Sequence, residues 1–502
     1  MIKEINLKYS QLLFFSIFAS LLTYGYGLNN FTVSIDSEYH QYLPTSYFEL
    51  GRWGSTVVRY YIFNGIVPYF TLFISLVVMS FTAVGLTRLF RFDGLAAYLF
   101  CGLFLTFPQM AYQFIFYMQA DAVSFGFLLS LVTIMLFEKL RVSKNIAVKA
   151  GLFILSALII MFIIAVYQAL VFLPAVIYLA YVFRNTYLDD YNFKKEFQKL
   201  MLFGGLMVLG GIFYAISVKI LCPQMSNSGY LSSYAAPNKN NRFVDFYNLW
   251  VDNMRGDMYY GDRLFFVAAL AALALLVIVF LKERKLFAVR ALLMLLLLIV
   301  PFIISLFITN GGHPPRLYVG SGIVFGFIIT QFISVLNPSK IRYTQVATAI
   351  CWIIGLTNIY FITLLYLSHN RIHNHELEMA KRIDNRIRTV VPDFESARDY
   401  VYFYGAMPDL EIDRFRLPKS EVFGGAFFQW DGGANTRIIP FFKYNDVANY
   451  KMVDNRDSWL KIRDSITDMP VWPRQGSVKR VGETVIVKLN SVKGAPLWVE
   501  QQ

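Results

Sequence analysis

The sequence predicts a polytopic α-helical membrane protein with about eleven transmembrane helices and a small C-terminal α/β domain. Three observations carry this expectation. The chain is 56% hydrophobic and 16% charged over 502 residues, whereas soluble domains are about one quarter charged. Long apolar runs recur up to Leu367, parted by short polar loops, and beyond Leu367 the composition turns polar. A formal charge of +13 invites nucleic acid as a partner. The cations lie between apolar runs, however, where they set membrane orientation, so no nucleic-acid partner is expected.

A spanning helix needs roughly 20 mainly apolar residues. Segments of that kind lie at 11–28, 66–87, 95–116, 122–137, 150–167, 169–183, 201–221, 264–281, 288–308, 319–336 and 344–367. The first follows Lys3 and Lys8, and Tyr24-Gly25-Tyr26-Gly27 offers no small-x-small cleavage site, so it reads as an uncleaved signal anchor. The fourth and sixth segments are short, which marks one of them as tilted or re-entrant.

Orientation follows from the basic loops. Arg88–Arg91, Lys139–Lys149, Arg184–Lys199, Lys282–Arg290 and Lys340–Arg342 all fall on the side of the N-terminus. That side is the cytoplasm and the C-terminus lies outside. The outside loops are unequal. Asn29–Gly65 is long enough for short interfacial helices, and Pro108–Asp121 is short and aromatic. Cys222–Asp262 is long and polar, and Asn310–Arg316 is a compact turn.

Past Leu367, the positions Ile372, Met379, Ile383, Ile387 and Val390 repeat with helical spacing and predict a linker helix. Strands are expected at Tyr400–Tyr404 and Arg437–Phe442, with a hairpin around Gly482-Glu483. Helices are expected near Asp446–Met452 and Ser458–Ile466. The domains are therefore 1–367 and 368–502.

If chemistry occurs outside, the useful acids are those of the outside loops. Asp36 and Glu38 share a face on an extended chain and diverge on a helix. Such a pair reads either as solvated loop acids or as a general base beside an acceptor hydroxyl. Asp121 precedes an apolar run and reads as a helix N-cap or as a second acid of the same pocket. Arg52, Trp53 and Arg59 place cations and an aromatic ring at the interface. There they anchor the chain, bind phosphate or stack on a sugar. Lys219 and Arg316 sit at outer helix ends, at the level of a lipid phosphate, although snorkelling accounts equally for Lys219. His313 and Arg316 flank a Pro-Pro turn that holds two potential donors.

His369, His373 and His375 invite a metal reading, with His369 and His373 four apart on a helix, but no nearby Cys or carboxylate completes a site, and a polar linker helix accounts for them. Cys101, Cys222 and Cys351 lie in or at the end of apolar stretches, and none falls in the C-terminal region, so that domain is expected to carry no disulfide framework. No P-loop, dinucleotide fingerprint or nucleophile elbow is present.

Taken with the eleven-span layout, Asp36-Ser37-Glu38, Gly51-Arg52-Trp53-Gly54 and the stretch Gly424-Gly425-Ala426-Phe427-Phe428-Gln429-Trp430 resemble the serotype-converting O-antigen glucosyltransferases. These are Gtr-type membrane enzymes similar to the GT-C class. The resemblance implies a GT-C-like fold in the bacterial inner membrane, with a periplasmic C-terminal domain. It implies undecaprenyl-phosphate-glucose as donor and O-antigen of lipopolysaccharide as acceptor, transferred with inversion. Asp36 matches the position of the class's catalytic acid, with Glu38 beside it and Asp121 in the second outside loop. Arg52, Arg59, Lys219 and Arg316 are expected on the donor phosphate from charge and topology, and Trp53 and His313 on substrate. The sequence singles out no cofactor, and a phosphate donor leaves room for a Mg or Mn ion. A donor flippase and a donor-synthesising glycosyltransferase are the expected functional partners.

The rival readings are a flippase for a lipid-linked sugar and an O-antigen polymerase or ligase. A transporter tends to carry ionisable groups at mid-membrane and repeated halves, and neither is evident here.

Overall fold

The computed structural model describes residues 2–40, 46–223, 241–282, 284–308, 313–336, 341–396, 398–408, 410–497 and 500. It divides into two compact units. One comprises Met1–Asn29 and Leu43–Leu364, and the other Asn30–Tyr42 and Leu365–Gln502. The start of the first outside loop therefore belongs with the C-terminal residues, a grouping that the linear division at 367 does not contain.

In the first unit, nine helices among the described residues are long and apolar enough to cross a membrane, the last running on into the second unit. Two shorter apolar helices, Gly94–Leu105 and Ser321–Val335, complete the expected set. The segment expected at 95–116 stops at Leu105, because Pro108 cannot continue the helix and disfavours helical backbone before it. The chain resumes as a one-and-a-half-turn helix, Gln109–Phe114, and every residue from Phe107 to Asp121 is buried. A connection enclosed in this way must find partners for its backbone polar groups inside the protein. The segment at 169–183 opens as a 3-10 turn, Gln168–Phe172, and proceeds as the helix Leu173–Asn185. The Asn29–Gly65 loop carries the short helices Ser37–His40, Ser46–Glu49 and Trp53–Thr56, then a π-turn, Val57–Ile62. Of Cys222–Asp262, residues 224–240 lie outside the described residues, as do 309–312 of the compact turn. The rest of the former folds as an amphipathic helix, Arg242–Arg255.

The second unit takes the C-terminal part of a 50-residue helix, Ile341–Val390, whose Ile372, Ile383 and Ile387 are fully buried. Its sheet has β1 (Tyr400–Tyr404) parallel to both β2 (Lys451–Met452) and β4 (Thr484–Lys488). β3 (Val478–Val481) closes an antiparallel hairpin with β4 through Gly482, and the strand order is β2-β1-β4-β3. The core beneath holds Tyr402, Val453, Ile462, Ile466, Met469, Ile486 and Leu497.

Two expectations are corrected here. Arg437–Phe442 is not a strand but lies in the helix Asn435–Tyr444. Its Ile438, Phe441 and Phe442 all bury on one helical side, and packing overrides their β preference. Asp446–Met452 is not a helix, since it runs as a loop into β2. The helix near Ser458–Ile466 is present as Arg456–Arg463.

Candidate functional site

Two polar constellations account for most of the predicted site residues, one in each unit. In the second unit the acids of the first loop meet a cation from near the other end of the chain. Asp36 occupies left-handed backbone, φ 76°, which costs an Asp less than most residues. The turn is closed by Ser37 N–H donating to Ser34 C=O at 3.0 Å, and the two hydroxyls lie 2.8 Å apart. Directly after it the Ser37–His40 helix begins. This geometry, neither extended nor fully helical, brings both carboxylates to one guanidinium. Arg437 Nη1 donates to Asp36 Oδ1 at 2.8 Å and to Glu38 Oε1 at 2.7 Å, while its Nε donates to Asp431 Oδ2 at 2.8 Å.

The three acids differ in exposure. Asp431 is half exposed, Asp36 is 35% exposed and Glu38 is fully enclosed. Glu38 Oε2 has no partner among the described residues. Burial pushes the Glu38 carboxyl up to about 7 against the pull of Arg437, and the neighbouring Asp36 charge adds to the rise. Burial also works against the Arg437 charge, yet Asp36 and Glu38 outweigh it and hold its proton more tightly than usual.

Arg437 is positioned by its own helix. Asn435 accepts from Phe403 N–H at 2.7 Å and donates to Phe403 C=O at 2.8 Å, so its amide pairs with β1 as a strand residue would. Gly432 and Gly433, both at φ 72°, turn the chain into that helix. The Gly424–Trp430 stretch lies under the acidic turn. A side chain at Gly425 would come within 2.8 Å of Ile35, and Phe428 N–H donates to Glu376 on the linker helix at 2.8 Å. His369 and His373 are buried edge-on to Phe423 and Phe441. Among the described residues no three His, Cys, Asp or Glu side chains group as metal ligands. Asp36, Glu38 and Asp431 converge on a guanidinium instead, so these residues do not fit a divalent ion.

In the first unit the buried Phe116–Asp121 turn receives three of the predicted arginines. Arg59, fully enclosed, donates to Met118 C=O at 3.2 Å and to Asp121 Oδ1 at 2.6 Å. It also bonds Tyr117 C=O, and Tyr47 hydroxyl bonds Met118 C=O. Asp121 is not the N-cap. Gln119 holds that position, and Asp121 lies in the first turn, accepting from Ala122 N–H at 2.7 Å. Arg52 is half-buried, and its partners among the described residues are uncharged. Its Nε donates to Gln168 Oε1 at 3.0 Å, Nη1 reaches Gln119 Oε1 at 3.5 Å, and the guanidinium lies 4.8 Å over the Tyr167 ring. Arg316 stacks 4.6 Å over Phe116.

Trp53 Nε1–H donates to Ser217 Oγ at 3.0 Å and its ring meets Phe162. Gly54 permits this docking, because a Cβ there would lie 2.7 Å from Val166 N. Gln168 donates to Leu50 C=O at 2.7 Å, and Tyr214 hydroxyl donates to Gly51 C=O at 3.2 Å, which fixes the Arg52 loop. Lys219 is exposed near the end of the Phe193–Leu221 helix. His313 is half-buried, and burial holds its imidazole below its ordinary value against the influence of Asp245. Sequence reasoning missed Gln119, Tyr167 and Gln168, whose types carry no local signal. It also missed Arg437, Asp431 and Asn435, although Gly432-Gly433 ahead of Asn435 is a helix-entry pattern.

The glucosyl transferase GtrII family profile matches residues 25–331, well over half of the chain. No curated protein matches the sequence. Among solved structures, the crystal structure of ArnT from Cupriavidus metallidurans bound to undecaprenyl phosphate is similar, with 10% identity and a TM-score of 0.49. That alignment covers 90% of this chain and 91% of that one.

Proposed function

Because the chain belongs to the glucosyl transferase GtrII family, we propose that this membrane glycosyltransferase moves glucose from a polyprenyl-phosphate donor to O-antigen repeats. The transfer takes place on the outer face of the bacterial inner membrane, with the N-terminus inside and the C-terminal domain outside. Asp36 is the general base. It is the solvent-reachable member of an acid pair whose other member, Glu38, is enclosed, and this observation carries the reading. A hydroxyl of the acceptor gives its proton to the Asp36 carboxylate while its oxygen bonds to the anomeric carbon. The bond from that carbon to the phosphate oxygen breaks, its electron pair leaves with polyprenyl phosphate, and the anomeric centre inverts.

Arg52 is the residue best suited to the donor phosphate. Its guanidinium is held by amides and an aromatic face, so its charge is oriented but not neutralised by those partners. Arg316, on the ring at the head of the same turn, is the second candidate. Arg59 and Asp121 enclose each other and act by fixing that turn. Lys219 and His313 remain proposed ligands of donor and substrate, and Trp53 supports the Arg52 loop through Ser217. The flippase and polymerase readings have no observation in their favour.

The test is glucose incorporation into O-antigen by cells carrying wild type or Asp36→Asn at matched membrane levels. Loss of at least about 100-fold is expected for a missing general base. Full activity of Asp36→Asn removes Asp36 from the mechanism.

A further inference from the structure

The acid pair is not held by its own loop. Asp36 and Glu38 are within hydrogen-bond distance of a single nitrogen of Arg437, 401 residues along the chain. That guanidinium is itself oriented from two sides. Asp431 accepts from its Nε, and its helix is pinned to β1 by the double bond between Asn435 and Phe403. Asp36 sits in left-handed backbone at the tip of a turn, 35% exposed, and Arg437 holds its Oδ1 at 2.8 Å. Resting on the general-base reading, we propose that Arg437 is a positioning residue of the transfer reaction. It fixes the position of the Asp36 carboxylate and so makes the C-terminal domain a working part of the base.

Three features favour this role over a purely structural ion pair. The contact is made to the exposed carboxylate and the enclosed one together, on the same nitrogen, so the charge state of one is felt by the other. Asp36 retains open surface while so held, leaving room for an acceptor hydroxyl. The third acid, Asp431, bonds the opposite edge of the guanidinium and takes no part in gripping Asp36. Among the described residues, the charged and titratable groups facing the pair include Asp431 and Arg437, with His369 of the linker helix beside the Val33 backbone.

Arg437→Lys is the decisive variant. It keeps the positive charge but cannot reach all three acids with a planar fork. Arg437→Met removes the charge. With full-length protein in membranes, purified polyprenyl-phosphate-glucose and O-antigen acceptor, kcat and KM are measured across pH 5 to 9. Positioning predicts a lower kcat with little change in donor KM. It also predicts that the acidic limb of the kcat profile moves to higher pH in Arg437→Met, because the carboxylates lose the cation that favours ionisation. Arg437→Lys is expected between wild type and Arg437→Met on both measures. A uniform loss at every pH, or an unshifted limb with wild-type kcat, overturns the proposal. If Arg437→Met fails to accumulate, Arg437→Lys decides by the same criteria, with Asp431→Asn as the check that loosening the fork alone lowers kcat. Asp36→Asn separates the two readings. An active Asp36→Asn removes the base reading itself. A silent Asp36→Asn with unmoved Arg437 profiles removes only the role of Arg437.

Discussion

A guanidinium that meets two carboxylates on one nitrogen neutralises only one of them, and the enclosed partner carries the strain of the other. Glu38 is fully enclosed, and its Oε2 has no hydrogen-bond partner among the described residues. Its carboxyl ordinarily titrates at 4.5 and is pushed to about 7 in the fold. A raised acid contributes stability that is complete below pH 4.5 and is lost as pH rises through 7. The shift corresponds to about 3 kcal/mol. Thermal unfolding of the detergent-solubilised protein is therefore expected to fall between pH 5 and 8 in wild type, and to fall less in Glu38→Gln. Equal slopes for the two proteins rule out Glu38 as the group responsible. Asp121 poses the opposite problem in the helical unit. Its removal leaves Arg59 charged and enclosed, which costs on the order of 3–5 kcal/mol. Asp121→Asn is expected to lower the melting temperature sharply, and Arg59→Met with Asp121→Asn to recover part of the loss.

At the scale of elements, the helix Asn435–Tyr444 decides whether the acids are held. Its sequence reads as a strand because Ile438, Ile439, Phe441 and Phe442 are the residue types that sheets favour. Nothing local reveals that Asn435 takes over the pairing to β1 and that the chain then turns helical. By contrast, β1 and the hairpin at Gly482-Glu483 are legible, since a short run of β-branched and aromatic residues and a tight turn are properties of adjacent residues. Asn435→Ala would take the amide partner away from the Phe403 N–H and C=O, at about 1–3 kcal/mol for each unsatisfied group. Glucose transfer in that variant is expected to drop several-fold with membrane insertion intact. Unchanged transfer would mean that the helix needs no such pin.

On the scale of the whole molecule, the apolar segments were readable because bilayer thickness fixes a length that composition alone can satisfy. Asp36 and Glu38 were readable as an acidic pair following the first helix. Their membership of the C-terminal unit was not, because no residue between Asn30 and Tyr42 signals which later segment will cover it. A chain ending at Leu364 is expected to insert and accumulate in membranes yet transfer no glucose, checked by membrane blotting alongside the incorporation assay.

The separation of 401 residues between Asp36 and Arg437 also sets a clock. The ribosome makes the two carboxylates among the first outside residues and delivers their guanidinium only after the last helix has been threaded. Until then the acids of the nascent chain lack their cation. On the proposed mechanism, synthesis of the final segment is the step that completes the base, and a chain abandoned midway is expected to transfer no sugar.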